Sequence, residues 1–174
     1  MSDEGRSVTL RLPRLRVTLG VLAALLVVAG LVVGGIRTHH AFAQNDRLSH
    51  ELSPSAQSAI AAAKSYAVDF ATYSYTDLDA AFAKTESHAV DPFLSQYRNE
   101  TAQLRTTLVK AKASSTASIV SAGIASLSDT TAVVDLFLNQ TIKNRSGTHV
   151  DAQRVEMTLQ REHDEWLISK VVLP

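Results

Sequence analysis

LVKAKASSTASIVSAGIASL, residues 108–127, is the stretch where this chain changes its period. Up to Ala113 the apolar residues recur every three to four positions, as on one face of a helix. From Ser114 onward, small and β-branched residues follow a strand-like alternation instead. The spacing predicts a helix ending near Lys110 to Ala113 and a strand over Thr116–Leu127, with Gly123 as a bulge. Helices therefore lie on one side of this junction and strands on the other.

Downstream, Ser128-Asp129-Thr130 makes a turn. In the strand that follows, Val134, Leu136, Leu138 and Ile142 share one face, while Asp135 and Asn139 share the other. Asn144-Arg145-Ser146-Gly147 has the composition of a hairpin loop. The third strand alternates most cleanly, with Val155, Met157 and Leu159 against Arg154, Glu156, Thr158, Gln160 and Glu162. His163-Asp164-Glu165 then turns the chain into a last strand, Trp166–Leu173, apolar on both faces. Burial on both sides accounts for that pattern, and so does an edge covered by a partner.

Upstream, Ser53-Pro54 is a helix start, with serine as N-cap and proline where its missing N–H costs nothing. The helix is expected to run to about Tyr73, with Ile60, Ala63, Ala67, Phe70 and Ala71 on one stripe and Tyr66 at its edge. Asp69 lies about 180° around from Ile60, so it is expected to face away from the core. Thr76-Asp77-Leu78-Asp79 reads as a capping box opening a short second helix, with Leu78, Ala81 and Phe82 inward. Asp91-Pro92 opens a third, marked by Phe93, Tyr97, Leu104 and Leu108. Helices followed by strands imply an α+β domain over residues 53–174, about three helices on a curved antiparallel sheet of about four strands.

Further upstream stands VTLGVLAALLVVAGLVVGGI, Val17–Ile36, without a charge or a proline. As a helix it extends roughly 30 Å, the thickness of a bilayer's hydrocarbon core. Arg6, Arg11, Arg14 and Arg16 precede it and a lone Arg37 follows, which sets the tail, residues 1–16, on the cytoplasmic side and the domain outside. The expected arrangement is a single-pass plasma-membrane protein with a stalk or helix extension over residues 37–52. Ala41-Phe42-Ala43 resembles a signal-peptidase site, but the apolar run is longer than a signal core, and Arg37, His39 and His40 crowd the gap before it. Gly30 and Gly34 have the GxxxG spacing that lets membrane helices approach closely.

Charge and composition exclude several classes of function. After Ile36 the chain carries 13 basic and 15 acidic residues, a balance that offers no phosphate-neutralising surface and speaks against nucleic-acid binding. It has no cysteine, hence neither disulfides nor thiolate chemistry. The histidines give no metal spacing: His39 and His40 adjoin the apolar run, and His88, His149 and His163 fall in predicted turns. There is no glycine-rich phosphate loop and no Ser-His-Asp arrangement, and no cofactor is called for. Asp135 reads as a solvated residue on the outer sheet face rather than a buried base.

The element order resembles the NTF2-like cone, in which a long first helix crosses a bent sheet and a pocket opens between them. In such a pocket Tyr66, Phe70, Phe82 and Trp166 would be the lining; otherwise they fill the core. A closer resemblance rests on the apolar run together with Ala67-Val68-Asp69-Phe70-Ala71-Thr72-Tyr73-Ser74-Tyr75-Thr76-Asp77-Leu78-Asp79-Ala80-Ala81-Phe82, the strand Leu136-Phe137-Leu138-Asn139-Gln140-Thr141, Gln153–Leu159 and Trp166-Leu167-Ile168-Ser169. These segments, in this order, are similar to the Mce-associated membrane proteins of actinobacteria. Glu165 stands where that pattern often has glycine. The resemblance implies a non-enzymatic accessory protein that assists an Mce-type lipid-import transporter, with transporter subunits as partners. Cone folds also imply two alternatives, a lipid- or steroid-binding domain and an isomerase or dehydratase.

Overall fold

The computed structural model describes residues 52–173. The predicted membrane helix at 17–36, with Gly30 and Gly34, and nearly all of the stalk lie outside them. Helix α1, Pro54–Ala71, is followed by the short strand β1, Tyr73–Ser74, then α2, Leu78–Glu86, and α3, Phe93–Ala111. Four long strands complete the domain: β2, Ser114–Leu127; β3, Thr131–Asn144; β4, Gly147–Glu162; and β5, Glu165–Val172. They form one antiparallel sheet in the order β1-β2-β3-β4-β5. The α+β class and the segregation at Ser114 are as the sequence indicates, with a fifth strand of two residues added at the sheet margin. Among the described residues no helix is long and apolar enough to cross a membrane.

Each helix has an identifiable start. The Ser53 hydroxyl accepts the Ala56 N–H at 3.2 Å, and Pro54 occupies the first turn. Asp77, rather than Thr76, caps α2 by accepting from Ala80 N. Asp91 receives both the N–H and the O–H of Ser95 in the first turn of α3, which holds its carboxyl below the usual carboxylate range. Helix α3 ends on Lys112 in the left-handed conformation, φ 50°, where Ala113 N–H reaches Leu108 O.

Helix α1 presents alanines to the sheet: Ala56, Ala59, Ala63, Ala67 and Ala71 are buried. Expected stripe residues Ile60 and Phe70 flank this seam half-buried. Side chains with only a methyl group let the helix axis approach the strands closely, so the larger residues pack at its sides. From below, Val134, Leu136, Met157, Leu159 and Ile168 supply the core, each 0% exposed. A second, smaller cluster of Tyr73, Leu78, Leu104, Leu108 and Ala113 joins α2 and α3 to the β1–β2 corner.

The strand boundaries follow from turns and edges. Two-residue loops join β3 to β4 at Arg145-Ser146 and β4 to β5 at His163-Asp164, the latter with φ values of 47° and 71°. In β2 the register shifts fall between Ile119 and Ser121 and between Ile124 and Ser126. Gly123 pairs regularly with Asp135, so the bulges sit at neighbouring positions and not at the glycine. The free edge of β5 is closed by the chain's own segment before α3: Val90 N–H reaches Ile168 O at 2.9 Å and Ile168 N–H reaches His88 O at 2.7 Å. Trp166 and Ile168 face the core, with Val171 and Leu173 packed against it, and Leu167 lies half-buried on the other face.

Candidate functional site

The four aromatic residues singled out as lining are all placed against the interior. Trp166 is 4% exposed on β5, and its indole N–H donates to Ser58 Oγ at 3.0 Å, which supplies the partner that a buried indole requires. Tyr66 donates its hydroxyl to the Trp166 carbonyl at 2.9 Å and stacks on His88, ring centroids 4.4 Å apart. Burial raises the Tyr66 pKa, with the Glu165 and Asp69 carboxylates acting in the same direction. Phe70 lies against Phe93 and Tyr97, and Phe82 meets Tyr97 edge to face. Phe70 and Phe82, with Tyr97, Leu104 and Leu108, line a cavity of about 20 Å³, room for one water molecule.

Among the described residues the carboxylates and histidines are spread over the domain, and the one close pair of the two kinds is His149 with Asp151. Asp69 does turn away from the sheet, as helix geometry requires, but it is not solvated. Helix α2 folds back over it, its side chain is 8% exposed, and Oδ1 lies 2.6 Å from the Lys84 ammonium. Asp135 is on the outer face of β3, opposite Glu156, and is half-buried rather than fully solvated; its Oδ1 has no hydrogen-bond partner. His149 is the third residue of β4 instead of a turn residue and stands 3.6 Å from Asp151. His88 and His163 are in turns. No group of three or more His, Cys, Asp or Glu side chains is placed to hold a metal ion among the described residues.

The larger recess is elsewhere, at the corner where α1, β1, α2 and the start of β2 meet. This open groove has a volume of about 460 Å³, within the range of small-molecule sites. It is lined by Thr72, Tyr73, Ser74, Ser114, Ser115 and Thr116, together with Asp69, Asp77 and Lys84; the hydroxyls of Thr72, Tyr73 and Ser115 are closed off beneath its surface. The pairing of Tyr73 with Ser115 and of Ser74 with Ser114 brings two hydroxyl-rich segments side by side. Burial pushes the Tyr73 phenol up to about 12, so it is a neutral donor and acceptor. The arrangement can hydrogen-bond a ligand but offers no nucleophile paired with a base. Sequence reasoning passed over this site, although the runs Thr72–Thr76 and Ser114–Thr116 were visible; what was missing was the two-residue strand that joins them.

A helix-crossed, curled antiparallel sheet of this order defines an NTF2-like α+β domain of the VirB8 type. Its likeness to solved structures is one of fold: the periplasmic domain of DotI matches with a TM-score of 0.61 at 16% identity, over 72% of this chain and 98% of that one. A periplasmic fragment of TraM matches with a TM-score of 0.57 at 12% identity, over 67% and 95%. Agrobacterium tumefaciens VirB8 matches with a TM-score of 0.53 at 8% identity, over 72% and 96%. No protein-family model matches the chain. By sequence it is 32% identical over 161 residues to the uncharacterized protein Rv1362c of Mycobacterium tuberculosis, covering 90% of this chain and 73% of that protein; MT1407 of the same species matches equally. The chain belongs to the family of these mycobacterial proteins.

Proposed function

We propose that this protein is a non-enzymatic accessory protein, tethered to the plasma membrane by residues 17–36, whose domain docks on a membrane-bound transport complex from the extracytoplasmic side. The filled interior carries this reading. Where a cone-fold binder or enzyme holds its ligand, this chain has Trp166, Met157, Leu159 and Ile168, all at or below 4% exposure. Asp69, the buried carboxylate of the groove, is paired with Lys84 at 2.6 Å, and no histidine lines either recess, which speaks against the isomerase or dehydratase alternative. A filled core likewise leaves little room for a lipid or steroid.

The partner class is supported from two directions. The anchor and domain segments resemble the Mce-associated proteins, which makes subunits of an Mce-type lipid importer the first partners to test. The fold is shared with a periplasmic domain of DotI and with an IcmL-like type IV secretion system protein of Legionella pneumophila, TM-score 0.57, which favours a secretion-type assembly as the second reading. Tethering raises the effective concentration of the domain near either kind of complex. Affinity purification of the full chain from gently solubilised membranes tests the proposal. Recovery of importer subunits supports the first reading and of secretion subunits the second; recovery of the chain alone contradicts both.

A further inference from the structure

Strand β2 carries an edge that the domain leaves open. β1 pairs with it only at Ser114 and Ser115, so among the described residues the backbone N–H and C=O groups that point away from β3 between Thr116 and Leu127 have no strand beside them. Sheet edges are commonly guarded by lysine, proline or an inward charge. Thr116–Leu127 has none of these, and its bulges at Val120 and Ala125 bend the edge without covering it. The side chains along it are unfinished as well. Towards α1, Ala117, Ile119, Ala122 and Ile124 pack on the core yet are only half-buried, whereas Leu138, Leu136 and Val134, which pair with the last three, are at or below 2% exposure. Val120 and Leu127, on the same strand, are 63% and 37% exposed.

The geometry selects the occupant. A row of backbone donors and acceptors is matched by an extended chain, not by a helix or a small molecule. A second copy is disfavoured by α1, which packs on β2 more than on any other strand. Two β2 edges paired about a two-fold axis would stand about 4.8 Å apart and would bring their helices inside the roughly 8–10 Å that packed helices need. A lone strand meets no such obstacle. The row that it would cover is apolar and without charge, so charged side chains in its inward positions would be buried unpaired. We infer that β2 accepts, by strand addition, an extended segment of a partner subunit whose alternate side chains are small or branched apolar groups, covering the row from Ala117 to Ile124. The inference deepens the docking role proposed above and rests on it.

The probe is a peptide copying Thr116–Ala125, TASIVSAGIA, with lysines at both ends for solubility. Laid antiparallel on β2 with bulge opposite bulge, it sets each inward isoleucine of one strand against an alanine of the other. Hydrogen exchange on the full chain in detergent micelles reads its binding. Amides of residues 116–125 that point away from β3 are expected to exchange freely in the chain alone and at least tenfold more slowly with saturating peptide. A peptide N-methylated at the amides that face β2 is expected to bind at least tenfold more weakly, a comparison that needs no substitution in the protein, and Ala122→Lys in the chain is expected to weaken the unmodified peptide as much. Unchanged exchange, equal binding of the N-methylated peptide, or slow exchange of these amides before peptide is added, which would mean an edge already filled by the chain's own upstream segment or by a second copy, would each overturn the inference. Co-purification separates it from the docking role: partner subunits that the Ala122→Lys chain retains in full would place docking elsewhere and overturn the edge alone, whereas recovery of the unsubstituted chain by itself would contradict both.

Discussion

Beneath α1 the inward side chains of β3, β4 and β5 are sealed and mutually complementary, whereas at the corner where β1 meets β2 side chains just as deeply buried bring hydroxyls that nothing in the chain satisfies. Trp166 and Tyr66 show the first condition: each has a polar tip, and each tip is bonded, to Ser58 Oγ and to the Trp166 carbonyl. Tyr73 and Ser115 show the second. The two regions thus differ in whether these buried polar tips are paired. The sheet edges differ in the same way. His88–Val90 closes the edge of β5, while β1 covers β2 only at Ser114 and Ser115, leaving an edge from Thr116 to Leu127 without a charged residue.

This contrast can be broken most forcefully at Trp166. Truncation to alanine opens a void under α1 and is expected to cost about 3–5 kcal/mol in chemical denaturation; a loss below about 1 kcal/mol would mean that the interior is loosely filled. Alkaline unfolding probes the two buried phenols next. Tyr73 and Tyr97 are pushed up to about 12 by burial from an ordinary value of 10.0. The folded state thus holds their protons longer than the unfolded chain, so stability is intact below about pH 10 and falls as pH rises to about 12, by on the order of 2 kcal/mol per tyrosine. Constant stability through that window would place both rings in water.

Gln140 tests whether the two regions are joined. It is buried on the inward face of β3, and its amide donates to the carbonyl of Ala71, the last residue of α1, at 3.1 Å. Gln140→Ala leaves that carbonyl unpaired and is expected to cost about 1–3 kcal/mol, with faster amide exchange at Thr72 and Tyr73 as the check on location. Unchanged exchange there would separate the corner from the core. Ser53→Ala, which removes the N-cap of α1 far from the groove, is expected to cost about 1 kcal/mol and to leave exchange at the corner untouched.

Local signals in the sequence located most of the framework. The Ser53-Pro54 start, the turn at Asn144–Gly147 and the alternation of Val155, Met157 and Leu159 depend on neighbours a few positions away, and all three stand in the structure. Features set by distant segments were not legible. Gln140 falls on the apolar face by alternation with Leu138 and Ile142, but what it bonds there cannot be read locally, because its partner is 69 positions away. Asp69 sits opposite the alanine seam, as helix arithmetic has it, yet α2 covers it with Lys84. Strand β1 has too few residues to show a period and exists through its backbone bonds to Ser114 and Ser115. The groove depends on that strand, so the candidate site was the least readable part of the chain.

Cross-linking in intact cells followed by mass spectrometry tests the central claim most directly, because it reads location and partnership at once. Lys110 and Lys143 are exposed on the domain and within reach of a lysine-specific reagent that does not cross the plasma membrane. The account predicts linkage from these lysines to subunits of a membrane transport complex; a chain that stays unmodified, or that links to nothing but itself, would contradict it.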